Sequence, residues 1–346
     1  MKAVVVHGPG DVRVDTLADP VPGAGEVLVA MEWGGICGSD VAYWRHGASG
    51  TAVLKDPLVL GHEVAGRVAG LGPGVTTVDI GTAVTVHPAQ PVGDAALPER
   101  IAGRTNLLPR VRYFGSAAFH PHTDGGFSEL RVVRAGQLRP LPDGVSTRQG
   151  ALAEPLAVAM HAVHRAGDVT GRTVLVNGAG PIGCLVVAAA KFAGAATVIA
   201  ADLAPSALGI ARRLGADHTV DLGSGAALPE DVELVFEASG APAALGGALR
   251  ATARGGTLVQ VGNLPGEPAP SVLGDLVTRE ISWTGSYRFV DEITDAVRAL
   301  GEGLDVSPII THTFDLDDAG EALAVAADRG SGSSKVLLKL GGSRRS

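Results

Sequence analysis

The run Val174-Leu175-Val176-Asn177-Gly178-Ala179-Gly180-Pro181-Ile182-Gly183 sets a G-x-G-x-x-G turn directly after an apolar stretch that reads as a strand. The residues that follow read as an apolar helix. Pro181 suits its first turn, where a missing N–H leaves no bond unmade. Glycines at 178, 180 and 183 let the backbone turn tightly and approach a pyrophosphate, which the helix N-terminus then stabilises. Asp202 closes the next strand 24 positions after Gly178, placed to accept hydrogen bonds from ribose hydroxyls. A carboxylate there repels a 2′-phosphate, and Leu203-Ala204-Pro205-Ser206-Ala207 brings no Arg or Lys. The loop therefore predicts NAD rather than NADP. Arg212 and Arg213, further along the helix, read as solvated surface charges.

A second set of residues has metal-ligand chemistry. Cys37 stands in Gly35-Ile36-Cys37-Gly38-Ser39-Asp40, His62 in Gly61-His62-Glu63-Val64-Ala65-Gly66, and Glu154 in Ala153-Glu154-Pro155-Leu156. Thiolate, imidazole and carboxylate are ligands that zinc takes at catalytic sites, with one position open to water or substrate. Each residue alone has a plainer reading: a packed thiol, a satisfied histidine, a solvated acid. Spacing by itself does not bring 37, 62 and 154 together.

Two kinds of scaffold must position these groups. Residues 1 to about 150 read as short strands (2–6, 26–32, 63–71, 83–87) between Gly and Pro turns, the pattern of a barrel or sandwich-like β domain. Residues 148–166 read as a helix interrupted near Pro155. Apolar strands at 173–176, 197–201, 232–236, 257–261 and 281–285 then alternate with helices at 181–193, 205–214, 241–253 and 291–301. That alternation predicts an α/β fold with a parallel sheet covered on both faces. The run 335–340 reads as a last strand that returns to the first domain.

Composition narrows the function. Of 346 residues, 46% are apolar and 18% charged, so the chain folds and buries a core. A net charge of -8 argues against nucleic acid as the partner. Two cysteines, Cys37 and Cys184, exclude a disulfide framework and fit a reducing, cytoplasmic compartment. The N-terminus is too short an apolar run for a signal peptide. The least polar stretch, 173–201, is broken by glycines, Pro181 and Lys191, so no membrane span is expected.

The run Gly61-His62-Glu63-x2-Gly66-x5-Gly72-x2-Val75 matches the signature of zinc-containing medium-chain alcohol dehydrogenases, and the chain resembles that family along nearly its whole length. Cys37-Gly38-Ser39-Asp40-Val41-Ala42-Tyr43-Trp44 with Glu154-Pro155-Leu156 resembles its polyol dehydrogenase branch. There a Glu stands where simpler members carry a Cys ligand. Arg112-Tyr113-Phe114-Gly115-Ser116-Ala117, Pro121-His122-Thr123-Asp124-Gly125-Gly126-Phe127, residues 153–159 and residues 180–185 resemble, more narrowly, the L-idonate 5-dehydrogenases of that branch.

The resemblance implies a GroES-like β-barrel catalytic domain at 1–150 and 290–346, and a Rossmann NAD-binding domain, a doubly wound parallel sheet, at 151–289. It implies an active site in the cleft between them and a homodimer or homotetramer. Cys37, His62 and Glu63 match the zinc ligands, and Glu154 a residue that approaches the metal directly or through its water. Ser39, Tyr43, Phe114 and Arg288 match positions lining the substrate cleft, and Val261, Gly262, Ser286 and Tyr287 positions facing the nicotinamide. The activity implied is hydride transfer from a secondary hydroxyl of a sugar acid or polyol to NAD, foremost L-idonate to 5-keto-D-gluconate. Ser39 would take the hydroxyl proton.

Three departures from the family pattern carry expectations. A lobe that holds a structural zinc on four Cys in most relatives has Val92, Ala95, Pro98 and Leu108 here, so one catalytic zinc per subunit is expected and no structural zinc. A usual Gly-Asp-Arg-Val turn is Gly81-Thr82-Ala83-Val84. A His usual three residues after Ser39 is Ala42. With Ser39 capping a helix through 40–46, His46 lies one turn beyond Ala42 and is the candidate proton relay; the plainer reading is a surface histidine. Two other functions stay open: a sorbitol- or xylitol-type polyol dehydrogenase, and a zinc-free quinone reductase or non-catalytic nucleotide-binding relative. The last group typically lacks the equivalents of Cys37 and His62.

Overall fold

The computed structural model describes residues 1–264, 266, 268, 270 and 272–341. The chain divides into two compact units. The first comprises Met1–Glu154, Ile293–Gly303 and the described residues from Ile310 on; the second comprises Pro155–Glu292 and Leu304–Ile309.

The first unit is built on a seven-stranded sheet. Its path runs Leu138–Pro140, Ala83–Val86, Glu63–Leu71, Glu26–Gly35, Lys335–Lys339, Ile310–Asp315, and Leu130–Arg134 pairs with the start of Glu26–Gly35. The C-terminal strand returns here, antiparallel to Glu26–Gly35. A three-stranded sheet (Asp11–Thr16, Lys2–Gly8, Leu58–Val59) and the helices Gly38–His46 and Ala319–Ala327 belong to the same unit. Alternate residues of Glu26–Gly35, among them Val27, Val29 and Met31, point into a core with Val64, Val84, Phe127, Leu323 and Leu338. Ile310–Asp315 and Ala319–Ala327 were not legible from the sequence. The strand carries Thr, His and Asp among its few apolar residues, and the helix has a Gly in its first turn.

The second unit is a six-stranded parallel sheet in the order His218–Asp221, Thr197–Asp202, Thr173–Asn177, Val232–Glu237, Thr252–Gln260, Ser282–Gly285. Strand order reverses between Thr173–Asn177 and Val232–Glu237, and such a switch point is where open parallel sheets bind ligands. Helices Pro181–Phe192, Pro205–Arg213 and Pro242–Ala251 each open on proline. Leu245, Ala248 and Leu249 of the last pack with Leu175, Val235 and Leu258 of the sheet. The helix expected at 148–166 is two pieces, Thr147–Gly150 and Ala153–Ala166, and Pro155 sits harmlessly in the first turn of the second. No helix among the described residues is long and apolar enough to cross a membrane.

Candidate active site

Glu26–Gly35 runs antiparallel to Glu63–Leu71 and to Lys335–Lys339, and Gly35 lies opposite Glu63 on one side and Leu337 on the other. Its carboxyl end therefore lies beside the amino ends of Glu63–Leu71 and Lys335–Lys339. This register brings Cys37, His62, Glu63 and Lys335 together from three distant parts of the chain.

Asp40 fixes two of those segments. Its fully buried carboxylate accepts hydrogen bonds from the Cys37 N–H at 2.9 Å and the Gly61 N–H at 3.1 Å. Burial raises its pKa, against the pull of His62 and of these two donors. The bond to Cys37 also starts the helix early: Cys37 is the residue before the first turn of Gly38–His46, and Ser39 lies within that turn. The expectation that Ser39 caps the helix is corrected, because the Asp40 side chain reaches back to the Cys37 N–H. Gly61 turns at φ 96, and a Cβ there would run into the Phe127 ring, so only glycine delivers His62 to this point.

The ligand atoms of Cys37, His62 and Glu63 all lie within 4.8 Å of one another. Zinc bonds to sulfur, nitrogen and oxygen run about 2.0–2.3 Å. A small inward movement of three side chains therefore makes a site, and the donor set is one that zinc prefers. The electrostatics agree. Burial disfavours a charged His62 ring, yet the Cys37 sulfur and the Asp40 and Glu154 carboxylates outweigh it and hold its pKa well above the usual imidazole value. Positive charge is favoured at this point. Lys335 answers the same field: burial would lower its pKa, but Glu63, Cys37 and Glu154 raise it, and its ammonium donates to both Glu63 oxygens.

Glu154 is buried and stands outside the trio of ligand atoms. The Tyr113 hydroxyl donates to its Oε1 at 2.6 Å, and the Tyr113 ring stands edge-on to His62 with centroids 5.7 Å apart. Tyr43 and Phe114 are core residues. The Tyr43 oxygen accepts from the Ala117 N–H at 3.0 Å, and the Arg131 guanidinium lies 5.0 Å over the Phe114 ring. Ser39 is half-buried, while His46 ends the helix and is exposed. The lobe 92–108 lies between the paired strands Ala89–Pro91 and Val111–Tyr113 and folds through short turns at Glu99–Ile101 and Thr105–Leu107.

In the second unit the glycine turn joins Thr173–Asn177 to the helix Pro181–Phe192. A Cβ on Gly183 would collide with the Gly178 carbonyl, whereas one on Gly180 would meet nothing. The helix start is thus packed close on the strand and open at its tip, the shape that a pyrophosphate needs. Asp202 ends the adjacent strand. Its carboxylate accepts from the Ala179 N–H at 2.6 Å and the Ala204 N–H at 2.9 Å, which ties the turn to the next loop. Ile182 lies in the first helical turn. The Val261 and Gly262 N–H groups both donate to the Glu237 carbonyl, and the Ser286 N–H donates to the Gln260 carbonyl. Tyr287 is half-exposed, and the Arg288 guanidinium lies 5.0 Å over its ring on a backbone with φ 51.

Asp40, Tyr113 and Lys335 were not singled out as site residues by sequence reasoning. Asp40 had a readable signal, an acid three residues after Cys37 at a helix start. The other two depend on strand register and carry none.

A zinc-type donor trio on one unit and a dinucleotide turn on the other are the working parts of a metal-dependent nicotinamide dehydrogenase. Comparison with known proteins agrees. Residues 23–143 match the alcohol dehydrogenase GroES-like domain and residues 181–302 the zinc-binding dehydrogenase domain. The chain is 38% identical over 350 residues to sorbitol dehydrogenase of Gallus gallus, covering 97% of this chain and 96% of that one. It is 38% identical over 308 residues to L-idonate 5-dehydrogenase (NAD(P)(+)) of Escherichia coli K12, covering 87% and 88%. The crystal structure of the Escherichia coli L-idonate 5-dehydrogenase superposes with a TM-score of 0.89 at 36% identity, covering 98% of this chain and 97% of that one. A putative zinc-binding dehydrogenase of Sinorhizobium meliloti bound to NADP gives 0.87 at 31% identity, covering 98% of each chain. The chain belongs to the zinc-binding medium-chain alcohol dehydrogenase family, among its polyol and sugar-acid dehydrogenases, with a GroES-like domain and a Rossmann domain.

Proposed function

We propose that this enzyme oxidises a secondary hydroxyl of a sugar acid with NAD, foremost L-idonate at carbon 5 to 5-keto-D-gluconate. The observation that carries the chemistry is the convergence of Cys37, His62 and Glu63 donor atoms within 4.8 Å. Those three residues would hold one zinc ion. Bound there, zinc would supply the Lewis acidity that lowers the pKa of a secondary hydroxyl, and NAD would supply the acceptor for the hydride of its carbon. The chain's own groups do the rest. Asp40 holds the Cys37 and His62 segments in place before any ligand binds. Glu154, fixed by Tyr113, keeps a carboxylate near the metal trio, where it would reach the metal directly or through its water. Ser39 would take the hydroxyl proton while passing its own on, to water or to His46. Asp202 receives the adenosine ribose and disfavours a 2′-phosphate, while Gly178, Gly180 and Gly183 clear the backbone for the pyrophosphate.

Arg288 would anchor the substrate carboxylate, since a guanidinium offers a planar fork matched to it. The similarity to sorbitol dehydrogenase supports a second reading, a neutral polyol substrate. The two separate in one assay, NADH formation across a panel of sugar acids and polyols with wild type and Arg288→Ala. The first reading expects L-idonate to be the best substrate, with KM rising about tenfold or more in the variant. A sorbitol or xylitol preference, indifferent to Arg288, establishes the second. Faster turnover of ethanol or benzyl alcohol than of every sugar acid and polyol contradicts both.

A further inference from the structure

The fully buried Glu237 ends the strand Val232–Glu237, at the switch point where the second unit's sheet reverses order. Its Oε1 accepts from the Ser239 N–H at 2.9 Å and from the Ser239 hydroxyl. Its Oε2 accepts from Gln260 Nε2 at 2.6 Å and the Gly240 N–H at 3.3 Å. Gln260 ends the neighbouring strand, and the same Nε2 donates to the Gly262 carbonyl at 2.8 Å. One carboxylate and one amide thus tie the loop after Val232–Glu237 to the loop after Thr252–Gln260. The first of these loops also lies against the glycine turn: a Cβ on Gly178 would meet the Ser239 backbone at 2.5 Å.

The pair carries a polar cost of its own. With both N–H groups of Gln260 committed to acceptors, its amide cannot flip, and Oε1 is left buried without a partner. The Ser286 hydroxyl, just past the adjoining strand Ser282–Gly285, is likewise buried and unpartnered. A leucine at 260 would remove the orphaned acceptor but would also take a donor from the buried Glu237 carboxylate and from the Gly262 carbonyl. What the amide gives in return is a fixed geometry for the backbone at 261 and 262.

Resting on the NAD-dependent reading above, we infer that Glu237 and Gln260 are a positioning pair that holds the loops around the nicotinamide end of the dinucleotide site. The adenosine ribose end, at Asp202, is held by the Ala179 and Ala204 N–H groups and bonds to neither residue of the pair. The pair therefore acts on one half of the cofactor.

The test compares NADH with ADP-ribose, which lacks the nicotinamide, by calorimetry on the full-length zinc-loaded protein. Gln260→Leu, a swap of similar volume at a half-buried position, should weaken NADH binding about tenfold or more and leave ADP-ribose within about twofold. Glu237→Gln should act in the same direction, because it sets two amide donors against each other. If that variant does not fold, Gln260→Leu decides alone. Equal losses for both ligands would assign the pair a general scaffold role and overturn the inference, as would unchanged NADH binding. Wild-type protein that binds neither ligand would instead refute the dinucleotide site itself, and the inference with it.

Discussion

Lys335 and Glu63 form a buried ion pair beside Cys37 and His62: the Lys335 ammonium lies 2.7 Å from each Glu63 oxygen and 3.1 Å from the Ile36 carbonyl oxygen. The pair counts twice, once for the fold and once for the metal. Without Lys335 the Glu63 carboxylate is buried and uncompensated, which typically costs about 3–5 kcal/mol. A dication at the trio would itself compensate that charge. Lys335→Met should therefore lose about that much stability in metal-stripped protein and clearly less in zinc-loaded protein, as read by denaturant midpoints. By linkage the variant should bind zinc more tightly than wild type, holding it at equilibrium against a higher chelator concentration. Equal losses in both forms would show that Glu63 does not ligate the metal.

The proposed preference for NAD rests on Asp202. Wild type should oxidise its substrate faster with NAD than with NADP at equal low concentrations, because no Arg or Lys lies at 203–207 to receive a 2′-phosphate. Asp202→Ser should narrow the ratio by raising KM for NAD. The Ala179 N–H would also lose its 2.6 Å partner, so Asp202→Asn is the control that keeps an acceptor. Faster wild-type turnover with NADP would contradict this reading of the loop.

The two cysteines should differ in reactivity. Burial, then the nearby Asp202 carboxylate, pushes the Cys184 thiol up to about 12, so it stays protonated and unreactive across the neutral range. Cys37 is partly exposed. Iodoacetamide followed by mass spectrometry should label Cys37 in stripped protein, leave Cys184 unlabelled to at least pH ~10, and spare Cys37 once zinc is added. Labelling of Cys37 that zinc does not slow would remove it from the ligand set.

The sequence made some of this legible and hid the rest for a physical reason. The strand, glycine turn and helix from 173 to 193 are local signals, and the structure has Thr173–Asn177 and Pro181–Phe192 there. His218–Asp221 was missed because four residues with a His and an Asp offer no apolar run at a sheet edge. Cys37 and His62 were legible as ligand types, but their grouping with Glu63 came only through family resemblance, since the convergence depends on Gly35 lying opposite Glu63. Lys335 meets Glu63 from 272 residues away, through a pairing that no local pattern announces. Tyr113, quoted within a motif, gained a role only when Glu154 was found at its hydroxyl.

His46 tests the proton path. It lies one turn from Ala42 at the exposed end of the helix Gly38–His46. As the relay it should give His46→Ala a turnover loss mainly on the acid side of the pH–rate profile, and adding Ala42→His should restore the profile. An unchanged profile in His46→Ala assigns the proton to water.

One metal ion on Cys37, His62 and Glu63 should be what makes this chain a dehydrogenase. Metal-stripped protein titrated with zinc, with NADH formation from L-idonate and sorbitol as the readout, tests it most directly. No activity is expected before zinc, then a linear rise that breaks at about one equivalent per chain. Full activity in stripped protein, or a break at two equivalents, would contradict it.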